Sequence, residues 1–272
     1  MSSRPFLKWP GGKYRLIDRI NKRLQPGKRL VEPFVGSGAV FLNTDYERYL
    51  LADTNPDLIN LYNILKQDGQ SFIDYCHSFF SPENNTETAY YAYREKFNSS
   101  NDIKLKSALF LYLNRHCYNG LCRYNASNRF NSPFGRYKKP YFPEKEMQFF
   151  HKAAKKARFI HSSFKDTMKK VKPGDIVYCD PPYTPLSKTA SFTDYFSGGF
   201  DWEQQITLSE WASKLAKRGI PVIISNHDTD NTRNLYHDAG ATTEGFQVRR
   251  TISCNANKRK EIGEILAVFQ PS

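Results

Sequence analysis

The segment Asp180-Pro181-Pro182-Tyr183 constrains this chain most, because it follows a short apolar run that predicts a buried β-strand. In open α/β sheets, ligands bind at the carboxyl ends of the strands. Two consecutive prolines stiffen the backbone and leave carbonyl groups available to accept hydrogen bonds. Asp180 adds an acceptor and Tyr183 adds a flat ring, which together suit a planar ring with an exocyclic amino group. Taken alone, however, these four residues more often form only a strand that ends in a proline turn.

A second strand-and-turn pattern lies at residues 30–42, where a short strand, a glycine turn and a helix are predicted in succession. Gly36 and Gly38 allow the backbone to approach a ligand closely. The pattern is neither a full dinucleotide fingerprint nor a phosphate loop, which favours a ligand without phosphates. Asp53 ends the next predicted strand, where an acid commonly binds ribose hydroxyls. Capping of the following helix is the alternative role for Asp53.

The N-terminal segment at residues 6–13 combines an apolar start with a Pro-Gly-Gly turn, and Lys13 opens a predicted helix. A glycine turn at a helix start leaves backbone N–H groups free for an anion such as a carboxylate. Lys13 would add positive charge at that place. An ordinary N-terminal turn has the same sequence signature, so both readings stay open.

The alternation of strands and helices stops between residues 57 and 144, where four helices are predicted and no strand pattern is strong. We therefore predict an α/β fold with a doubly wound, Rossmann-like sheet and a mostly helical insertion. Residues 1–56 and 145–272 form one domain in this interpretation, and residues 57–144 form the second. Beyond the insertion, we expect a helix capped by Asp201, a buried strand at 220–226 and a closing hairpin.

The stretch at residues 114–139 interleaves arginines, asparagines, aromatics and glycines without a regular period. Arginine pairs with guanine and asparagine with adenine in the major groove, basic side chains neutralise phosphates, and an aromatic or leucine at a loop tip can wedge between base pairs. Because long loops in compact domains are usually functional or disordered, and the aromatics disfavour disorder, a nucleic-acid interface is favoured over a solvated loop.

The formal net charge of +13 and the isoelectric point of about 9.4 favour a polyanionic partner, although a basic balance also aids solubility. The five cysteines and six histidines are dispersed, so no metal site is predicted and the thiols are expected to be reduced. No signal peptide or membrane span is evident, and we expect a cytoplasmic protein. Residues 185–199 predict a mobile flap, and Lys258-Arg259-Lys260 predicts a solvated turn with a phosphate contact.

Four motifs in this order resemble the Dam-type DNA adenine-N6 methyltransferases, which methylate GATC, and the resemblance covers nearly the whole chain. They are Phe6-Leu7-Lys8-Trp9, Glu32-Pro33-Phe34-Val35-Gly36-Ser37-Gly38, the loop from Tyr118 to Asn125, and Asp180-Pro181-Pro182-Tyr183. Pro10 stands where the family usually has alanine, and Cys117 stands where glycine is common. Neither difference removes a functional group.

The resemblance implies S-adenosylmethionine as the cofactor, double-stranded DNA as the partner, a target recognition domain made from the insertion, and a chain that acts as a monomer. The implied catalytic residues are Asp180, Pro181, Pro182 and Tyr183. The implied cofactor residues are Trp9, Lys13, Glu32, Phe34, Gly36, Gly38, Asp53, Phe164 and Asp180. The implied DNA-binding residues are Lys8, Tyr118, Asn119, Leu121, Arg123, Asn125, Pro133, Arg136, Tyr137 and Lys138. Among these, Tyr118 resembles the residue that enters the duplex, and Arg123 resembles a guanine reader.

Other functions remain as alternatives. One is an amino-methyltransferase that acts on RNA adenine, on cytosine N4 or on protein glutamine, but Asp180 disfavours the last two because those enzymes carry Ser or Asn at that position. Another is a DNA-binding protein without catalysis, which the intact Asp180, Tyr183, Gly36 and Gly38 disfavour. A restriction nuclease is disfavoured because no paired acidic cluster with a lysine is evident.

Overall fold

A computed structural model of the protein describes residues 3–183, 200–249 and 261–271. The segment predicted as a flap, residues 185–199, and the basic run Lys258-Arg259-Lys260 both lie outside the described residues.

A seven-stranded sheet forms the centre of the molecule. Its strands in chain order are β1 Arg29–Glu32, β2 Arg48–Asp53, β3 Ala157–His161, β4 Asp175–Cys179, β5 Val222–His227, β6 Thr242–Arg249 and β7 Glu261–Phe269. The spatial order is β3-β2-β1-β4-β5-β7-β6, and β7 alone runs antiparallel to its neighbours. The direction of winding reverses between β1 and β4, which is the switch point where such sheets bind ligands. The predicted α/β, Rossmann-like fold is confirmed.

The helices cover both faces of this sheet. Capping residues that directly precede several of them in the chain explain where those helices begin. Their bounds are α1 Ile17–Arg23, α2 Pro56–Asp68, α3 Gln70–His77, α4 Glu87–Ser99, α5 Ile103–His116, α6 Glu144–Ala154, α7 Phe164–Met168, α8 Trp202–Ala216 and α9 Asp230–Asp238. Asn55 caps α2 and Asp102 caps α5 through side-chain oxygens. Asp201 caps α8 in a reciprocal capping box, as predicted. The four predicted helices of the insertion, α2 to α5, are confirmed between β2 and β3.

Alternating residues of the strands separate two apolar layers. Leu30, Leu51 and Tyr178 belong to the layer that also contains the helices of the insertion. Val31, Leu50 and Val177 belong to the opposite layer, which α7 and α8 cover. Because side chains alternate along a strand, the polar residues that continue the first set fall on its face. These residues are Glu32, Asp53, Asp180 and Ser225, at the carboxyl ends of four strands or just beyond them.

The prediction of a helix after the glycine turn is wrong, because the chain forms only a three-residue 3₁₀ helix there, at Phe41–Asn43. The Asn43 amide donates to the carbonyl of Ala39 at 2.8 Å, and the Thr44 hydroxyl donates to the carbonyl of Val40 at 3.0 Å. These side chains take carbonyls that a continuing helix would have paired with backbone N–H groups. The glycine turn therefore lacks the dipole of a following helix.

Within the described ranges, no helix is long and apolar enough to cross a membrane. The same ranges contain no group of three or more His, Cys, Asp or Glu side chains arranged to hold a metal ion. Cys76, Cys117, Cys122 and Cys179 are buried free thiols.

Candidate functional site

Asp180 lies just beyond β4, at the switch point, and its carboxylate has two close partners. The Lys13 Nζ atom is 2.9 Å from Oδ1. The Ser225 hydroxyl, on β5, donates to the same oxygen at 3.0 Å. Burial raises the pKa of Asp180 although Lys13 and Ser225 pull it down. Burial by itself would lower the pKa of Lys13, but the charges of Asp180 and Glu264 raise it. An ammonium and a hydroxyl at these distances favour the ionised pair.

The Pro-Pro-Tyr segment is held from β5 and α8. The Gln205 amide donates to the Pro182 carbonyl at 3.2 Å, and Asn226 donates to Gln205 at 2.9 Å. The carbonyl of Pro182 is therefore already an acceptor, contrary to the expectation that both proline carbonyls are available. The edge of His227 contacts the Tyr183 ring at a centroid distance of 4.3 Å, and Lys13 Nζ lies 4.5 Å from the centre of the same ring.

The glycine turn after β1 is bound to its neighbours by its backbone. The N–H of Gly36 donates to Asp53 Oδ2 at 3.1 Å, and the Tyr62 hydroxyl donates to the Gly36 carbonyl at 2.6 Å. The φ angle of Gly36 is +45°, and a Cβ atom there would lie 2.8 Å from Trp9 Nε1. Glycine is therefore required at this position both by the backbone conformation and by the indole ring.

Asp53 does not cap α2, because Asn55 does so. Its Oδ1 atom instead accepts the N–H of Asn55 at 2.9 Å, so that both oxygens accept from the backbone and the carboxylate is fixed. This orientation places an acidic group at the carboxyl end of β2, beside the glycine turn. The alternative role of a helix cap is thereby excluded.

Glu32 is 2% exposed at the end of β1, and its Oε1 atom has no hydrogen-bond partner. Burial and then the nearby charge of Asp180 raise the pKa of Glu32 well above its usual value, although a backbone bond from Phe41 opposes the shift. Phe34 stacks on Phe164 at 5.6 Å between ring centres. An unpartnered buried oxygen, a turn that only glycine can form and a stacked aromatic pair fit a ligand that is polar and carries a ring.

The DNA-facing residues predicted by resemblance fall into two groups. In the first, the structure brings Lys8, Tyr118, Asn119, Pro133 and Tyr137 together. Lys8 Nζ lies 4.2 Å from the Tyr137 ring centre, and the N–H of Asn119 donates to the Tyr137 hydroxyl at 2.9 Å. The N–H of Tyr118 donates to the carbonyl of Pro133 at 2.9 Å. Tyr118 is 44% exposed, so its ring is available to a partner.

In the second group, three side chains are bonded to partners outside this cluster. The Arg123 Nε donates to Asn131 Oδ1 at 2.8 Å, and Arg136 pairs with Glu87 at 2.8 Å. The Asn125 side chain accepts the backbone N–H groups of Ser127 and Arg129, which makes it part of a turn. Lys138 is exposed and Leu121 is half-buried. Arg123 and Arg136 would therefore exchange partners in order to contact a base or phosphate.

Gln205 and Asn226, which hold the Pro182 carbonyl, were not predicted as site residues. Neither were Ser225 against Asp180, Tyr62 against the glycine turn, and Asn114, which accepts the Lys8 N–H at 2.9 Å and donates to the Lys8 carbonyl at 2.7 Å. Ser225 lies near the end of the buried strand predicted at residues 220–226, and that position was an available signal. Tyr62 and Asn114 lie on helices, where nothing in the local pattern distinguishes them from core residues.

The sheet order and the acidic switch-point corner define an α/β protein of the Rossmann-like type with a ligand site at the strand ends. The family model of the D12 class N6 adenine-specific DNA methyltransferases matches residues 9–251, and the chain belongs to this family. It is 52% identical over 269 residues to the DNA adenine methylase of Vibrio cholerae serotype O1, covering 98% of this chain and 96% of that protein. It is 52% identical over 269 residues to the DNA adenine methylase of Escherichia coli K12, covering 99% of this chain and 96% of that protein.

Among solved structures, precorrin 8W decarboxylase from Methanobacterium thermoautotrophicum is 12% identical with a TM-score of 0.42, over 98% of this chain and 95% of that one. The family match establishes the protein as an adenine-specific DNA methyltransferase that acts on N6 of adenine in DNA.

Proposed function

We propose that the protein transfers a methyl group from S-adenosylmethionine to adenine N6 within GATC in duplex DNA, after the adenine has left the helix. The observation that carries this proposal is the position of Asp180, a half-buried acceptor at the switch point of the sheet with Tyr183 beside it. An enzyme that modifies a base inside a duplex must first extrude it, because the target atom is otherwise inaccessible.

The cofactor residues that we propose surround the ends of β1, β2 and β4. Asp53 would bind the ribose hydroxyls, since its carboxylate is fixed beside the turn at Gly36. Glu32 and Trp9 border the same turn, and Phe34 with Phe164 offers apolar ring surface. When bound, S-adenosylmethionine supplies an electrophilic methyl group on a sulfonium. Gly38, Lys13 and Asp180 complete the proposed set.

The amino group of adenine is a poor nucleophile because its lone pair is delocalised into the ring. Asp180 and the carbonyl of Pro181 would accept its two hydrogens, which favours a pyramidal nitrogen with a concentrated lone pair. The carboxylate also stabilises the positive charge that develops on nitrogen. Tyr183 would stack on the extruded base, and Pro182, held by Gln205, fixes the corner. Much of the acceleration comes from this positioning.

Sequence recognition is proposed to lie in the insertion at residues 57–144, which would form the target recognition domain. Tyr118, exposed at a loop tip, would enter the duplex beside the target, and Arg123 would read a guanine. The further contacts to bases and phosphates that we propose are those of Lys8, Asn119, Leu121, Asn125, Pro133, Arg136, Tyr137 and Lys138. The GATC site itself rests on the resemblance of this loop to that of the Dam-type enzymes.

Digestion of treated DNA with methylation-sensitive nucleases that cut GATC tests the proposal. Unmethylated plasmid incubated with the protein and S-adenosylmethionine should become resistant to the nuclease blocked by N6-methyladenine, and sensitive to the one that requires it. Plasmid incubated without the methyl donor is the control for binding alone. Methylated adenine outside GATC would refute the site, and incorporation without a donor requirement would refute the cofactor.

A further inference from the structure

The ammonium group of Lys13 lies where the target amine is expected to lie. Its Nζ atom is 2.9 Å from Asp180 Oδ1 and 4.5 Å from the centre of the Tyr183 ring, and it donates to the Gly11 carbonyl at 2.8 Å. The Lys13 side chain is only 3% exposed. Asp180 and Tyr183 are the two groups proposed to receive the adenine amino group and the adenine ring. A cation of the protein therefore contacts both of them.

Lys13 also has a chemical likeness to the reacting nitrogen. As N6 attacks, it gains positive charge and becomes four-coordinate, and a lysine ammonium is a four-coordinate nitrogen with a full positive charge. The carboxylate and the aromatic face of this corner favour such a cation. The Asp180 carboxylate and the Tyr183 ring, which would stabilise the reacting nitrogen, would therefore also hold the Lys13 ammonium when no base is present.

We propose that Lys13 is a positioning residue: it holds the Asp180 carboxylate ionised in the DNA-free enzyme, occupies the place of the target nitrogen, and is displaced when the extruded adenine enters. This inference rests on the proposed base extrusion and differs from a role for Lys13 in cofactor binding alone. After displacement, the donors on Asp180 are the amine and Ser225. The geometry thus gives Lys13 a role that ends before methyl transfer begins.

The charged and titratable groups around this pair come from several elements. They are Glu32 on β1, Tyr178 and Cys179 on β4, Tyr183 beyond it, His227 on β5 against the Tyr183 ring, and Glu264 on β7. Lys13 is the cation that lowers the pKa of Asp180, against burial that raises it. Removal of Lys13 would leave Asp180 with burial and the Ser225 hydroxyl, so its pKa would rise and the carboxylate would be lost at a higher pH.

The pH dependence of two kinetic parameters separates the possible roles. The acid limb of kcat/KM for DNA reports the enzyme before it binds DNA, whereas that of kcat reports the bound complex. With saturating S-adenosylmethionine, Lys13→Met should move the acid limb of kcat/KM upward by about 1–3 units, since that is the usual effect of a neighbouring opposite charge. The acid limb of kcat should move much less, because Lys13 has already left in the bound complex.

Two further variants control the experiment. Lys13→Arg keeps the charge and should restore the kcat/KM limb to within a few tenths of a unit of the wild-type position. Lys156→Met removes a lysine from an exposed pair with Asp45 and should change neither limb. Limbs that stay in place in Lys13→Met, with a weaker affinity for S-adenosylmethionine, would overturn the proposal and leave Lys13 as a cofactor residue. Limbs of kcat and kcat/KM that shift equally would overturn the displacement.

A second measurement does not depend on methyl transfer. Duplexes with 2-aminopurine at the target position fluoresce more strongly when that base leaves the stack. At a pH where Asp180 is ionised in both proteins, Lys13→Met should give at least about twofold more extruded base than the wild type, because no ammonium must be displaced. An equal or smaller fraction would refute the placeholder role. Absence of methyl transfer to adenine by the wild-type protein would instead refute the proposed function, and this inference with it.

Discussion

The corner around Asp180, which we propose to be catalytic, and the loop at residues 117–138, which we propose to recognise DNA, are built by different means. In the corner, the acidic side chains and Ser225 stand near the carboxyl ends of buried strands, and the alternation of the sheet sets their direction, whereas Lys13 comes from a short 3₁₀ helix. In the loop, regular structure is nearly absent, and Asn119 and Arg136 have positive φ angles of 53°, which non-glycine residues seldom adopt. The loop is held by individual hydrogen bonds, such as the one that the N–H of Asn119 donates to the Tyr137 hydroxyl.

The two regions therefore depend on their surroundings in different ways. The corner owes its properties to burial and to close charges: burial raises the pKa values of Glu32 and Asp180, and the charges of Asp180 and Glu264 raise the pKa of Lys13 against burial. The loop owes its properties to shape, with exposed side chains such as Tyr118 on a backbone held in a strained conformation. Changes in the corner should therefore alter chemistry and pH dependence, whereas changes in the loop should alter the choice of DNA site.

The largest effect is expected at Asp180. Replacement by alanine removes the acceptor for the amine and the charge that stabilises the reacting nitrogen, so kcat should fall by about 10²–10³-fold or more. Binding of GATC duplexes, measured by fluorescence anisotropy, should change little. Asp45→Ala, which removes an exposed carboxylate paired with Lys156, is the matched control and should retain activity. Turnover that persists in Asp180→Ala would remove this residue from the mechanism.

Arg123→Ala should have the next largest effect, and it should concern specificity. Loss of a guanine contact costs about 1–3 kcal/mol of discrimination, measured as the ratio of kcat/KM for GATC over single-base variants of the site. Lys138→Ala, an exposed lysine in the same segment, should instead weaken binding to all sequences alike and reduce the salt dependence. Equal losses on cognate and random DNA in Arg123→Ala would make this residue a phosphate contact.

Tyr137→Phe tests whether the shape of the loop matters apart from its side chains. The change removes the hydroxyl that accepts the N–H of Asn119 and keeps the ring beneath Lys8. Loss of one such bond costs about 0.5–1.5 kcal/mol, which should appear as weaker GATC binding with unchanged affinity for S-adenosylmethionine. Tyr141→Phe removes a surface hydroxyl bonded to Glu146 and is the control. Equal binding by the two variants would mean that this bond does not shape the interface.

The smallest effect is expected from Glu32→Gln and concerns stability. The pKa of Glu32 is higher in the folded state than in the unfolded state. Below the pKa of the unfolded state, the carboxyl is protonated in both states, so its ionisation does not change the free energy of unfolding. As the pH rises towards the folded-state pKa, the unfolded chain gains by ionising and stability is lost. Glutamine resembles the neutral acid, so the variant should equal the wild type near pH 4 and melt increasingly higher as the pH rises. A difference in melting temperature that is independent of pH would contradict the buried, protonated state.

The sequence was sufficient for the elements whose signals are local. Strands at apolar runs, the helices of the insertion and the cap at Asp201 were predicted because periodicity and capping operate within a few residues. The prediction of a helix after Gly38 was wrong, because the side chains of Asn43 and Thr44 donate hydrogen bonds to the carbonyls that the helix would have used. Asp180 and Tyr183 were predicted as site residues from the motif, and that assignment stays a prediction. The division into domains and the residue roles taken from resemblance stay predictions.

By itself, the sequence determined the class of fold and the residue types that belong at the end of each strand, since both depend on short-range pattern. Only the tertiary structure decided which groups face one another. Lys13, predicted beside an anionic ligand, contacts the carboxylate of Asp180, and Ser225 contacts the same oxygen from another strand. The physical reason is that pairing and desolvation are properties of the space around a side chain. That space is filled by residues distant in the chain, and no local pattern specifies them.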